Sequence, residues 1–152
     1  ELARLGIKPS FFLAHVYHWG DVHMENLGME RARRISPVRD AEEKQIPFTL
    51  HQDSPVIPPD MMETVWCAVN RKTKNDVVLG GEQKLSAYEA LQAITIHAAK
   101  QYGEEQEKGT IAPGKRADFV VLDKDPMTAE PNDIRNIQVM MTVKDGQTIY
   151  QV

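Results

Sequence analysis

The run Ile46-Pro47-Phe48-Thr49-Leu50-His51-Gln52-Asp53-Ser54-Pro55-Val56 constrains the fold more than any other stretch, because a short apolar segment ends abruptly in polar groups and proline. It reads as a buried strand that delivers a carboxylate to a site. Side chains alternate faces along a strand, so Phe48 and Leu50 share one face while Thr49, His51 and Asp53 share the other. That alternation sets an imidazole beside a carboxylate at the strand's C-terminal end, a pairing suited to metal or proton chemistry. Pro55 removes a backbone donor, and Pro58 and Pro59 follow it, so the ladder stops near Asp53. In parallel α/β folds active sites lie at that edge. An aspartate in this place also serves to cap a turn, and the residues alone leave both readings open.

Upstream, Glu1 to Gly6 reads as the last turns of a helix closed by a glycine, with the expectation that the chain begins inside a larger protein. Phe11-Phe12-Leu13-Ala14-His15-Val16-Tyr17 is an apolar, aromatic run of strand length, expected to form a second buried parallel strand. Its exit carries His15, His18, Trp19, Asp21 and His23, either a substrate-lining loop or a solvated one with a stacked tryptophan. Ser36 to Lys44 has a serine at a helix N-cap position, proline after it and early acids, so a short helix should connect the two strands by a right-handed crossover.

Met61 to Asn70 shows Met62, Val65, Trp66 and Val69 at helical spacing, a core-facing stripe. Lys72 to Lys84 is polar, holds Gly80-Gly81 and is expected to be a surface loop without chemistry. Ser86 with Glu89 three residues later forms a capping-box signature for a helix through Ala98, on which His97 reads as a packing residue rather than a ligand. Composition shifts to acidic and polar at Gln101 to Lys108, which places a boundary between residues 1–105 and 106–152. Beyond it come a turn-rich approach from Gly109, a short buried strand at Phe119 to Asp123, and a hairpin over Val139 to Tyr150 with Asp145-Gly146 at its turn. Lys115 and Asp118 fall within the turn-rich approach and read as turn residues.

Charge and cysteine usage narrow the function classes. A net charge of −4 and a pI near 5.7 argue against a nucleic-acid or anionic-membrane surface, and no apolar stretch has the length of a membrane span. The single cysteine, Cys67, has no partner for a disulfide, which points to a reducing compartment and hence the cytoplasm.

Two motif groups carry a family resemblance over essentially the whole chain. The first is FTLHQDSPV followed by a Pro-Pro pair and METVWCAVNRKT. The second is LSAYEALQAITIHAAKQYG, then KGTIAPGKRADFVVLDKDP, then VMMTVKDGQTIY. Together they resemble the C-terminal part of the amidohydrolase superfamily, in its amidohydrolase family 3 branch that includes N-substituted formamide deformylase-like enzymes. The resemblance implies an α/β fold: the last two βα units of a TIM-barrel metal-dependent hydrolase, plus the C-terminal strands of its small β-sandwich domain. It implies hydrolysis of carbon–nitrogen, non-peptide bonds with a divalent metal, expected to be zinc, in the full-length protein and none held by this segment alone.

By the same resemblance Asp53 matches the eighth-strand aspartate, a metal ligand and the general base, while His51, His15 and His18 lie on the substrate side. The other ligands of the superfamily, a His-x-His pair, a carbamylated lysine or acid and two mid-barrel histidines, are absent, so the fragment by itself is expected to be inactive. The implied partners are a small amide-type substrate and the remainder of the barrel. Two barrel strands without their neighbours would leave Phe11 to Val16 and Phe48 to Leu50 uncovered, so a homo-oligomer is expected. The alternative is a non-catalytic binding or regulatory protein on a decayed scaffold of this kind.

Overall fold

The computed structural model describes all 152 residues. After a single helical turn, α1 (Leu2–Leu5), closed by the left-handed Gly6, the chain enters β1 (Ser10–Phe11). The expected strand over Phe11 to Tyr17 is not formed beyond Phe11: His15–Leu27 is a 13-residue helix, α2. The reason lies in the spacing of the buried residues. Leu13, Val16 and Gly20 recur at three and four residues and are covered, and Phe12, His15, Trp19 and His23 recur likewise on a neighbouring face. A contiguous apolar run thus serves two adjacent helix faces, and the polar residues expected on a strand-exit loop are helical.

The chain continues through α3 (Met29–Ala32) to α4 (Val38–Glu43), then β2 (Thr49–Leu50), which pairs parallel with β1 in the register Ser10 to Thr49 and Phe11 to Leu50. His51 extends the ladder by donating its N–H to Phe11 O at 3.1 Å. Strand, helix, strand with parallel pairing is the expected order. Ser36, however, is not the N-cap of α4: it adopts φ 46°, and Gln83 Oε1 accepts from the N–H groups of Arg39 and Asp40 instead. Gln83 is 1% exposed, so the loop expected to lie at the surface is partly internal, with Thr73 and Leu79 also buried. Arg71 fastens it. Its guanidinium, wholly covered, donates to Leu79 O, Ser36 O and Ile35 O at 2.8, 3.1 and 2.8 Å.

Met61–Asn70 is a helix, α5, as the spacing predicts, capped by Asp60 Oδ1, which accepts from Met62 and Glu63 N–H. Its burial exceeds a stripe, because Thr64, Cys67 and Ala68 are covered as well. Two further elements pack on it: α6 (Ala87–Ile94) and a 3₁₀ segment, Pro131–Asn136. The capping box at Ser86 and Glu89 is present, but the helix ends at Thr95, whose hydroxyl donates to Leu91 O at 2.6 Å, and restarts as α7 (Ile96–Tyr102). A β-branched residue bonding back to its own helix competes with the ladder there. His97, half-buried, packs at 6.3 Å from the Phe48 ring, in line with the packing reading. Gly109, at φ 93°, lets the chain pass α7 so closely that a Cβ would come 2.7 Å from the Ala99 methyl.

The C-terminal part is an antiparallel sheet in the order β3 (Phe119–Leu122), β4 (Val139–Lys144), β5 (Gln147–Gln151). Asp145 and Gly146 turn the hairpin at φ 49° and 76°, the left-handed pair that a two-residue connection requires. Unlike the buried strand expected at Phe119 to Asp123, β3 is largely exposed. By contrast Leu13, Val16, Phe48 and Leu50, expected to lie uncovered, are buried by the chain's own helices. The 3₁₀ segment returns to α5, inserts Ile134 and Ile137 into the same core, and accepts from Asn70 Nδ2 at Pro131 O, 2.7 Å away. No helix is long and apolar enough to cross a membrane.

Candidate functional site

Parallel pairing brings the C-terminal ends of β1 and β2 to one edge, and the first turns of α2 rise from the same edge. Four histidines gather there. The Phe12 ring lies 5.4 Å from that of His51 and 4.5 Å from that of His15, joining the two strand exits. The His15 ring lies tilted 4.8 Å from that of Trp19, and its Nδ1 is 3.4 Å from His23 Nε2 across two helical turns. Asp53 follows at the end of the β2 exit, exposed and in the left-handed conformation at φ 53°, which aspartate tolerates better than most residues. The alternation along the strand therefore does not run as far as Asp53, because regular pairing ends at His51.

Electrostatics tie these groups together. His15 is held below the usual histidine range, first by burial and next by His23, with His51 and His18 acting in the same direction and the Asp53 carboxylate opposing them. A neutral imidazole beside a carboxylate can accept or relay a proton near neutral pH. Of the residues singled out from the sequence, His15, His51 and Asp53 share this edge, whereas His18 turns to α5, with Nε2 2.8 Å from Glu63 Oε1. Sequence reasoning missed Phe12 as the aromatic link and Glu63 as the partner of His18. The first was legible in the spacing of Phe12, His15, Trp19 and His23; the second depends on how α5 packs against α2, which no local pattern carries.

No three His, Cys, Asp or Glu side chains converge closely enough to grip a metal ion. The donors at the strand edge suit one corner of a metal site, with Asp53 as an exposed carboxylate, and do not complete one. Two apolar grooves of about 530 and 540 Å³ flank β3, lined by residues such as Ile94, Thr95 and Val120, and share no residue with the histidine cluster.

Parallel strands with polar residues gathered at their C-terminal edge and a trailing small sheet agree with the family motifs read from the sequence. The profile of the amidohydrolase family matches residues 1–150. The chain belongs to the amidohydrolase family. It is 32% identical over 152 residues to the N-substituted formamide deformylase of Arthrobacter pascens, covering 99% of this chain and 28% of that one. Identity to the putative amidohydrolase YtcJ of Bacillus subtilis is 29% over 150 residues, 97% of this chain and 28% of the relative. Among solved structures, an uncharacterized metal-dependent hydrolase from Pyrococcus horikoshii superposes with a TM-score of 0.72 at 27% identity, over 86% of this chain and 27% of that one. This amidohydrolase chain thus spans about 28% of the length of the curated relatives it matches.

Proposed function

We propose that this amidohydrolase chain is the C-terminal part of a metal-dependent hydrolase of carbon–nitrogen bonds other than peptide bonds, with amides and formamides as the substrate class. The observation that carries the reading is the meeting of His51 and His15 on the Phe12 ring at the C-terminal edge of the parallel pair, with Asp53 at the exit of β2. The family and the deformylase relative support it. On this reading β1 and β2 belong to the last two βα units of a TIM barrel, and β3 to β5 to a β-sandwich whose remaining strands cover the exposed Val120, Val121 and Ile149. We place the division between the two parts at residues 105 and 106, the enzyme in the cytoplasm, and the whole protein in a homo-oligomer, which light scattering on the full-length protein decides.

A divalent metal, zinc in this proposal, supplies water activation and carbonyl polarisation when the remaining barrel donors complete its site. Asp53 would be one of its ligands. The chain's own residues do the rest: Asp53 takes the proton of the attacking water, and His15, kept neutral by burial, accepts a hydrogen bond from the substrate. His51, where regular pairing ends, holds the substrate from the β2 side.

Asp53→Asn in the full-length protein tests the assignment, since the amide keeps the shape and removes the base. We expect hydrolysis of an N-substituted formamide to fall at least roughly 10²-fold, with the fold intact by circular dichroism. Near-normal kcat would overturn the role of Asp53. The isolated 152-residue chain should show no turnover with added zinc, because a lone carboxylate cannot hold a catalytic ion; activity that disappeared in Asp53→Ala would refute that.

A further inference from the structure

A polar relay leaves the histidine cluster and ends in the C-terminal 3₁₀ segment. His18 Nε2 lies 2.8 Å from Glu63 Oε1, and Glu63 Oε2 accepts from Arg135 Nη2 at 3.4 Å. The Arg135 guanidinium lies against two rings that meet edge to face, 4.6 Å from the Tyr17 centroid and 4.5 Å from that of Trp66. These side chains are mostly covered, at 21% exposure for His18, 17% for Glu63 and 31% for Arg135. A delocalised cation suits such a corner, because the aromatic rings attract it while its N–H groups address the carboxylate. Glu63 also sits in the first turn of α5, where the helix dipole favours a negative charge.

This arrangement settles which nitrogen of His18 carries the proton. An ionised carboxylate can only accept, so opposite one neutral His18 must carry its proton on Nε2. Nδ1, which has no partner in the chain, then carries the lone pair. Trp19 packs against both His18 and His15, at 5.4 and 4.8 Å, which makes His18 part of the same wall as the candidate site.

We infer that Glu63 and Arg135 are positioning residues that hold His18 in its Nε2–H tautomer, so that Nδ1 is presented as a hydrogen-bond acceptor to an N–H of the amide-type substrate. The substrate half of this inference rests on the hydrolase reading; the tautomer does not. The sequence separates the three residues by 45 and 72 positions, and only the packing of α2, α5 and the 3₁₀ segment brings them together.

Two-bond proton–nitrogen correlation spectra of the full-length protein, labelled with ¹⁵N-histidine and with His18 assigned through His18→Gln, read the tautomer directly. The parent should show Nε2–H. In Glu63→Gln the ever-donating Arg135 claims the amide oxygen and turns the NH₂ toward His18, so the proton should move to Nδ1. Adding Arg135→Met to Glu63→Gln frees the amide to rotate and should restore Nε2–H. A structural brace alone would leave the tautomer the same in all three. Glu63→Asp, which keeps the charge beside Arg135 but withdraws it from His18, serves if the glutamine variant does not fold, and should average the two tautomers. The inference is overturned by a parent His18 in the Nδ1–H form, or by a tautomer that none of these substitutions shifts. In amide hydrolysis, Glu63→Gln should raise KM about tenfold with a smaller effect on kcat. An unchanged KM alongside a shifted tautomer would remove the substrate half and leave the hydrolase reading to the Asp53→Asn assay.

Discussion

Arg71 shows how much a single side chain can organise. Burial pulls its guanidinium down to about 10, still far above neutral pH, so a full positive charge sits in the interior with three backbone carbonyls as its company. Those carbonyls belong to the connection before α4, where Ser36 lies 35 positions before Arg71, and to the loop after α5. Arg71→Leu would leave Ile35 O and Leu79 O without a donor, while Ser36 O keeps the Val38 N–H, at a cost of about 3–5 kcal/mol. Urea unfolding of the variant against the parent should show the midpoint falling with the slope unchanged; a loss below roughly 1 kcal/mol would mean that water replaces the guanidinium without penalty. Nothing in the sequence marks Arg71. An arginine after a helix reads as a solvated C-terminal charge, and its burial follows from the left-handed turn at φ 50° that points it inward. The end of the strand just before Asp53, by contrast, was legible because an apolar run and prolines bracket it.

At the scale of elements, legibility followed how local the signal is. α5 lies where its spacing places it, the hairpin turns on Asp145-Gly146, and the capping box of α6 forms from residues three apart. Among the failures are β1 and β3. An apolar run long enough to be a strand became a helix because its neighbours cover two faces of it, and β3 is exposed although its composition is that of a buried strand. The N-terminus of α6 gives a prediction with a defined sign. Glu89 completes the capping box and also receives Arg39 Nη1 and Nη2, each at 2.9 Å. The hydrogen bond from Arg39 is the leading cause that lowers its carboxyl from 4.5 to about 2, with Ser86 adding to it. An acid whose folded value is depressed contributes stability that is fully present above the unfolded value, and this contribution is lost as pH falls through the folded one. Glu89→Gln should therefore melt lower than the parent at pH 7, by about 1–2 kcal/mol after allowance for solvent screening. The gap should narrow below about pH 4.5 and close near pH 2. A gap that stayed constant across that range would show that the carboxylate's charge does not matter.

Across the whole molecule, the motifs after Lys108 announced a separate sheet, but nothing local announced that its connecting segment returns to the helical core. Ile134 is 1% exposed and Ile137 4%, both among the residues that α5 and its neighbours bury, while Asn70 and Glu63 reach across to Pro131 and Arg135. A division at residues 105 and 106 can thus separate two architectures without separating two units of stability. Both tryptophans, Trp19 and Trp66, lie before that division, so their fluorescence reports the helical part, whereas amide exchange in β4 reports the sheet. Ile134→Ala removes three carbons from a filled site at a cost of about 2–5 kcal/mol. In a chain with one shared core the fluorescence midpoint and the protection of β4 amides should fall together, as in an all-or-none transition. Fluorescence that kept the parent midpoint while β4 lost protection would mean that the sheet opens on its own. In that case Arg135 would leave Glu63 before the core melted, and His18 would lose its tautomer lock at temperatures where the helical part is still folded.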